Sequence, residues 1–473
     1  MPSTSSAQPD IRQPEIRVLS PTAILGYGFP MASFEAGLAL DPHVIAVDAG
    51  SSDPGPHYLG AGYSFTDRDA VKRDLGIMLR AARARRIPLI VGSCGGAGGQ
   101  PHLDWTLQIL LEVARDHALT FKLAVIDAEV DSATVMQALR AGRVTPCGEW
   151  PALNEDDVHG STRIVAQLGV EPFVEALSQG ADVILAGRAY DPVVFAALPV
   201  LKGFDHGLAL HMGKILECAA IACTPGSGSD CMMGVLRDDH FLLHPLDPAR
   251  ACTVASVAAH TLYEKSDPYH LPGPGGVLDL TGTQFDQVDA RTVRVRGSRH
   301  VPGAYAVKLE GAARVGYRTI SIAGVRDPIF IGQVESIVAA VRARIADNFS
   351  DIHADSYALL FRLYGRDGVM GALEPQPNAG VHELGIVIEA VAPTQELADT
   401  ICGFARSTML HYGYPGRVST AGNLAFPYSP SDLKAGEVYR FSVYHLLPID
   451  DPVARFPVHY EQVQPLARRE AYA

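Results

Sequence analysis

Between Ile16 and Val144 the chain repeats one pattern: a short apolar run, a loop rich in Gly, Asp or Ser, then a longer stretch of helical periodicity. The runs Ala23 to Leu25, Val44 to Val47, Pro88 to Val91 and Leu123 to Ile126 read as strands, and Met31 to Leu40, Asp67 to Arg85, Leu103 to His117 and Ser132 to Ala141 read as helices. Parallel neighbours need a long crossover, usually a helix, so this alternation builds a parallel sheet. In the second helix Thr66 or Asp67 is placed to cap the start, and Leu75, Met78 and Leu79 fall on one face at i, i+3, i+4. A further unit follows, a helix over Glu171 to Gly180 and the apolar run Asp182 to Ala186, which suits a strand buried on both faces. The expected class is α/β, with a parallel, doubly wound, Rossmann-like sheet.

His211 to Cys223 and Val254 to Lys265 read as helices, and the densest Pro/Gly cluster in the chain is Leu271-Pro-Gly-Pro-Gly-Gly276. Beyond it the pattern turns to alternating strands (Thr292 to Arg296, Tyr305 to Leu309, Tyr317 to Ala323, Ala358 to Leu363, Glu383 to Ala390, Asn423 to Phe426, Tyr439 to His445) with helices over Val334 to Ile345 and Thr394 to Met409. The expected organisation is a disordered leader over 1–15, an α/β ligand and catalytic domain over 16–275, a β-rich α+β domain over 276–461 and a polar tail over 462–473.

At 473 residues the chain is long enough for two such cores. No apolar run approaches the roughly 20 residues of a membrane-spanning helix, so no membrane partner is expected. A net charge of −13 opposes binding to phosphate backbones, which excludes nucleic acid from the expected partners. Seven Cys without paired C-x-x-C spacing indicate neither a disulfide framework nor structural zinc, and a polar leader without an apolar core is no signal peptide; both place the chain in a reducing cytoplasm.

Three loops follow expected strands and gather residues with chemistry. Gly92-Ser93-Cys94-Gly95-Gly96-Ala97-Gly98-Gly99 precedes a helix, and such a loop can bring backbone N–H groups to a phosphate or carboxylate at the helix N-terminus. Close packing in a tight turn explains the same glycines without a ligand. Asp48 to Gly60 collects Asp48, Asp53 and His57, a set that suits a divalent cation such as Mg²⁺ or proton transfer, and equally suits turn capping. In Gly187-Arg188-Ala189-Tyr190-Asp191 the guanidinium offers a planar fork for a substrate carboxylate, beside Tyr190 and with Asp191 to orient it or act as base; a structural ion pair is the alternative.

A fourth stretch, His211-Met-Gly-Lys-Ile-Leu-Glu-Cys218, brings His211 and Lys214 to one helical face with Glu217 and Cys218 a turn further on. Cys218 and Cys94 would need a partner that lowers their pKa to act as nucleophiles; otherwise they are small buried hydrophobes. His240, His244, His260 and His270 lack metal-ligand spacing and read as structural or surface residues.

With these motifs in order, the chain resembles the acyclic terpene utilisation (AtuA-type) family, from about residue 16 to 450. The matching pieces are Gly92 to Gly98 before a helix, Ala181 to Arg188 with Asp191, Leu216-Glu217-Cys218, and Val254 to Pro268 with its Leu-Tyr-Glu and Asp-Pro. The resemblance implies catabolism of terpenoid, branched-chain or related carboxylic acids, free or as CoA thioesters, and a small companion subunit. The terpene branch of that family carries an added C-terminal ferredoxin-like domain, which this chain reads as lacking, and the Asp48 to Gly55 stretch marks a separate subgroup.

The expected function is therefore lyase or hydratase chemistry on a small carboxylate or its CoA thioester, in a homo-oligomer. Gly92, Ser93, Cys94, Gly95, Gly96, Gly98, Arg188, Tyr190 and His211 would bind the acid, and Asp48, Asp191, Lys214, Glu217 or Cys218 would carry the chemistry. A cysteine-dependent acyl or amide hydrolase and a non-catalytic carboxylate-binding or scaffolding subunit are the alternatives. All rest on three distant loops meeting at one pocket rim with positive potential.

Overall fold

The computed structural model describes residues 14–464 except 264–265, 378–379 and 419. The expected leader up to residue 13, and the expected tail from 465 on, lie outside the described residues. Two compact units account for the rest: residues 314–440 form the second, and everything before and after them belongs to the first.

The first unit is built on a ten-stranded sheet. Its strands in chain order are β1 (Ile16–Ser20), β2 (Val44–Asp48), β3 (Leu89–Gly92), β4 (Phe121–Ile126), β5 (Val183–Ala186), β6 (Met232–Leu236), β7 (His240–Pro245), β8 (Gln284–Gln287), β9 (Val293–Arg296) and β10 (Val458–Val463), arranged β8-β9-β7-β6-β1-β2-β3-β5-β4-β10. The five central strands are parallel. β6, β7, β9 and β8 continue the sheet antiparallel beyond β1, and β10 does so beyond β4. The α/β architecture agrees with the sequence, but the sheet is mixed, not purely parallel. The reason lies in connection length: β6 and β7 are joined by a short hairpin, which only antiparallel strands permit.

Helices cover both faces. Side chains alternate along each central strand, so Leu19, Ile45, Val47, Leu89, Val91 and Leu185 join one core with residues of α1 (Met31–Ala39), α2 (Arg68–Arg85) and α3 (Gln100–Asp116). Val18, Val44, Ala46, Ile90, Ile184 and Ala186 join the other, with α4 (Ser132–Arg140), α5 (Glu171–Ser178), α6 (Pro192–Leu201), α7 (His206–Leu216) and α8 (Val254–Leu262). Asp67 caps α2 by accepting from the N–H groups of Asp69 and Ala70, and Leu75, Met78 and Leu79 are fully buried beneath it.

Several boundaries differ from the sequence reading. The first strand is Ile16–Ser20, not Ala23 to Leu25, because Pro21 ends the ladder and residues 23–25 form the exit loop. The helix expected over His211 to Cys223 starts at His206, where Asp205 accepts from the N–H of Leu208, and stops at Leu216; a 3-10 turn at Ala219–Ala222 follows, entered through a positive φ of 47° at Ala219. The stretches Tyr305 to Leu309 and Tyr317 to Ala323 are one strand, Ala306–Val325, continuous through the small residues between them. The Pro/Gly cluster lies within the first unit as the turn joining the paired strands His270–Gly273 and Gly276–Asp279. Gln462 and Val463, expected in the tail, pair with Lys122 and Phe121 of β4.

The second unit holds an antiparallel sheet in which Leu384–Ala392 lies between Ala358–Tyr364 and the 317–325 part of the long strand. Helices α9 (Val334–Asn348) and α10 (Gln395–His411) supply its core through Ile337, Val341, Ile401, Ala405 and Met409. Asn423 to Phe426 forms no strand; Ala425 alone bridges to Gly324. Among the described residues no helix is long and apolar enough to cross a membrane.

Candidate functional site

The exits of β2, β3 and β5 are neighbours because the strands are. The chain leaves β3 into α3 on one face and β5 into α6 on the other, so the gap between these two exits is a switch point of the sheet, where open α/β folds hold ligands. Asp48 ends β2, Ser93 follows β3, and Arg188 follows β5.

Arg188 organises this gap. Only 2% exposed, it donates from Nε to Glu310 Oε2 at 2.9 Å, and from Nη1 to Asp191 Oδ1 at 2.6 Å, to the Ala189 carbonyl at 2.6 Å and to Ser93 Oγ at 3.2 Å. Among the described residues Nη2 donates to nothing. Glu310 comes from the Ala306–Val325 strand, whose alternation turns Lys308 and Glu310 to the same face. Glu310 Oε1 receives Lys308 Nζ at 2.7 Å and Gln167 Nε2 at 3.1 Å. Burial pushes the Glu310 carboxyl up, but Arg188 and Lys308 overcome it and hold the pKa at about 2. The guanidinium expected to carry free positive charge is thus already balanced by two carboxylates.

Asp48 is the opposite case. Its side chain is buried, and Oδ1 has no hydrogen-bond partner among the described residues. Burial, then the nearby Asp191, push its pKa well above the usual carboxylate range, against the opposing pull of Arg188 and Ser93, with Glu217 adding to the rise. Burial thus disfavours its ionised form relative to that of an exposed carboxylate.

The far side of the cluster is made by α7 and α8. Lys214 is 3% exposed, lies 4.7 Å from the centre of the Tyr263 ring, and has no ion pair among the described residues. Cys218 Sγ sits 3.3 Å from Tyr263 Oη, and burial followed by Glu217 pushes its thiol up to about 12. Glu217 and Asp191 also reinforce the upward push of burial on the half-buried Tyr190. His211 is fully buried on the same helix; Thr261 Oγ1, already donating to the Val257 carbonyl, accepts from His211 Nε2 at 3.1 Å. Burial and then Lys214 lower the His211 pKa to about 3 and that of His260 to about 4.

The glycine loop is explained by close packing. A Cβ on Gly98 (φ 67°) would stand 2.1 Å from the backbone nitrogen of Arg188, and one on Gly92 would meet Val194 Cγ2 at 2.3 Å and Asp48 Oδ1 at 2.9 Å. Gly95 and Gly96 pack against His102 and Phe65 in the same way. The anion expected at the start of α3 is supplied by the protein itself: Gln100 N donates to Glu129 Oε2 at 2.7 Å. Cys94 is buried beneath this loop, and burial pushes its thiol up to about 12. Groups that lower each pKa, Thr106 beside Cys94 and Tyr263 and Lys214 beside Cys218, are outweighed by burial.

The early loop is not gathered into a metal centre. Asp48 faces the arginine cluster, while Asp53 is exposed in a turn where its N–H meets Ser51 Oγ and His57 packs edge-on to Tyr58. Among the described residues no group of three or more His, Cys, Asp or Glu is placed to hold a metal ion. An apolar cavity lined by Val170, Tyr190, Leu210, Leu271, His206 and His300 meets the cluster only through Tyr190 and has room for about one water. The site is better located by its unpaired buried groups than by that cavity, because such groups are costly unless a ligand uses them.

Sequence reading brought Asp48, Ser93, Arg188 and Asp191 into one place and missed Glu310, Lys308, Gln167 and Tyr263. Its only signal for the first two was a Lys and a Glu at i, i+2 within an otherwise apolar strand, Val307-Lys-Leu-Glu310. A family model described as "Acyclic terpene utilisation family protein AtuA" matches residues 62–231 and 242–428. No curated protein and no solved structure matches the chain.

Proposed function

Since the chain belongs to the acyclic terpene utilisation (AtuA) family, for which a catabolic role is consistent, we propose that it performs lyase or hydratase chemistry on a small carboxylic acid or its CoA thioester, with Asp48 as the proton-transferring group. One observation carries the reading: a buried carboxyl whose Oδ1 has no hydrogen-bond partner among the described residues stands at a strand exit beside Asp191, Ser93 and Arg188. A carboxylic acid kept neutral by burial and a neighbouring carboxylate can donate a proton near neutral pH, and its conjugate base can take one back from a carbon next to a carbonyl. Arg188 is a positioning residue in this reading. Through Nη1 it holds Asp191 and Ser93, and through Nε it is held by Glu310, so it fixes the groups around Asp48 without itself touching the substrate.

Incubation in D₂O with 3-hydroxy and 2,3-unsaturated acids and their CoA thioesters, followed by proton NMR, tests it. Wild-type protein should exchange or eliminate at the carbon next to the carboxyl or thioester carbonyl, and Asp48→Asn should lower that rate by about 10²–10⁴-fold. A wild-type rate in the Asp48→Asn protein would remove Asp48 from the reaction.

A further inference from the structure

Each cation in the Arg188 cluster has its carboxylate. Arg188 has Glu310 and Asp191, and Lys308 has Glu310 at 2.7 Å. Lys214 is the exception. It is as deeply buried as Arg188, yet no carboxylate among the described residues pairs with it, and its ammonium rests instead over the Tyr263 ring. The last turn of α7 and the ring face both favour a cation there, but neither supplies a full negative charge. Around it, on α7 and α8 or just beyond their ends, stand His211, Cys218, His260 and Tyr263; burial keeps both imidazoles and the thiol uncharged at neutral pH. Lys214 nonetheless stands close to the cluster around the acid: Gly213, the residue before it, packs on Pro192, the residue after Asp191, so closely that a Cβ on Gly213 would lie 2.3 Å from the Pro192 carbonyl oxygen.

We infer that Lys214 is the anchor for a ligand carboxylate, so that the substrate keeps one free carboxylate as it meets Asp48. The inference rests on the reading of Asp48 as proton-transferring group and narrows it: the substrate class is a free carboxylic acid, or a dicarboxylic acid carrying CoA at one end only. A simple acyl-CoA has no carboxylate on its acyl part to offer the ammonium. The expected placing of Arg188 as the carboxylate fork passes to Lys214 for a physical reason, because a guanidinium that already holds two carboxylates has little net attraction for a third.

The test uses the whole chain and measures binding, not turnover. Straight and branched monocarboxylates of three to six carbons, and the matching carboxamides, are titrated at low ionic strength by ligand-observed NMR and calorimetry. Wild-type protein should bind at least one carboxylate tenfold or more tightly than its amide. Lys214→Met should weaken that carboxylate at least tenfold and abolish the preference over the amide, and Lys214→Arg should retain the preference. Thermal unfolding guards against a folding defect: Lys214→Met removes a buried unpaired charge and should be no less stable than wild type. Absence of any carboxylate preference in wild-type protein, or its survival in Lys214→Met, overturns the inference. Unchanged binding in Lys214→Met together with lost D₂O exchange in Asp48→Asn removes the anchor and leaves the acid-base reading. The converse pair of results keeps the anchor and removes that reading.

Discussion

Arg188 Nε and Glu310 Oε2 meet at 2.9 Å although 122 positions separate them in the chain, with side chains 3% and 1% exposed. The pair ties the exit of β5 to the strand that delivers Lys308, and so sets where Ser93 and Asp191 stand.

Breaking that pair from one side should be severe. Glu310→Gln leaves the buried Arg188 and the half-buried Lys308 with one carboxylate fewer, and the loss is expected to be about 3–5 kcal/mol. Urea unfolding measures it, and Arg188→Met combined with Glu310→Met should lose less than the sum of the single changes. Additive losses would mean that the two side chains do not act as a unit.

Asp48→Asn should stabilise while it inactivates. The folded-state pKa of Asp48 lies above its ordinary 3.8, so its contribution to stability is fullest below 3.8 and declines as pH rises, because the unfolded chain ionises freely and the folded one resists. Removing the ionisable group removes that decline, by about 1.4 kcal/mol for each pH unit above 3.8 until the folded carboxyl itself ionises. The difference in Tm between variant and wild type should therefore widen from pH 4 upward; a constant difference would return Asp48 to an ordinary carboxylate.

The buried histidines act in the other direction. His211 is lowered to about 3, and His206 and His260 to about 4, in each case chiefly by burial. Their contribution is complete above the unfolded value of 6.5 and is lost as pH falls from there toward the folded values. Stability should fall below pH 6.5, and His211→Phe, compared by denaturant titration at pH 5 and pH 7.5, should show a smaller fall than wild type.

Gly98→Ala tests the close approach of the glycine loop to Arg188. The new Cβ would meet backbone, which cannot swing aside, and the backbone at 98 is left-handed; a loss of about 2–4 kcal/mol is expected. Thermal unfolding close to that of wild type would mean that the two loops are less tightly joined.

The thiols supply a chemical check. Cys94 is buried and Cys218 half-buried, and both have pKa values pushed up to about 12, so iodoacetamide at pH 7.5 should leave both unmodified in the native protein and alkylate both after denaturation. Rapid native labelling of Cys218, located by peptide mass spectrometry, would revive a nucleophilic cysteine.

Much of the first unit was legible because its signals are local. The runs that became β2, β3, β4 and β5 are continuous stretches of Val, Ile, Leu and Ala, and the capping Asp67 and the Leu75, Met78, Leu79 stripe mark α2 within a few residues. Ser93, Arg188 and Asp48 could be nominated because each follows such a run. Their partners could not: whether Gly98 is bare for an anion or for the Arg188 backbone, and whether the start of α3 awaits a ligand or already holds Glu129, are the same sequence with different neighbours.

Residue order alone determined the repeating strand and helix units, the faces they bury and the loops at their ends, because helix and strand periodicity are set within a few residues. Tertiary structure decided that β6 to β9 and β10 extend the sheet antiparallel, that Arg188 is spent on Glu310 and Asp191, and that Lys214 pairs with no carboxylate among the described residues. Those outcomes depend on which distant strands pair and in what register, and a charge has meaning in a buried site only once its counter-charge has been placed.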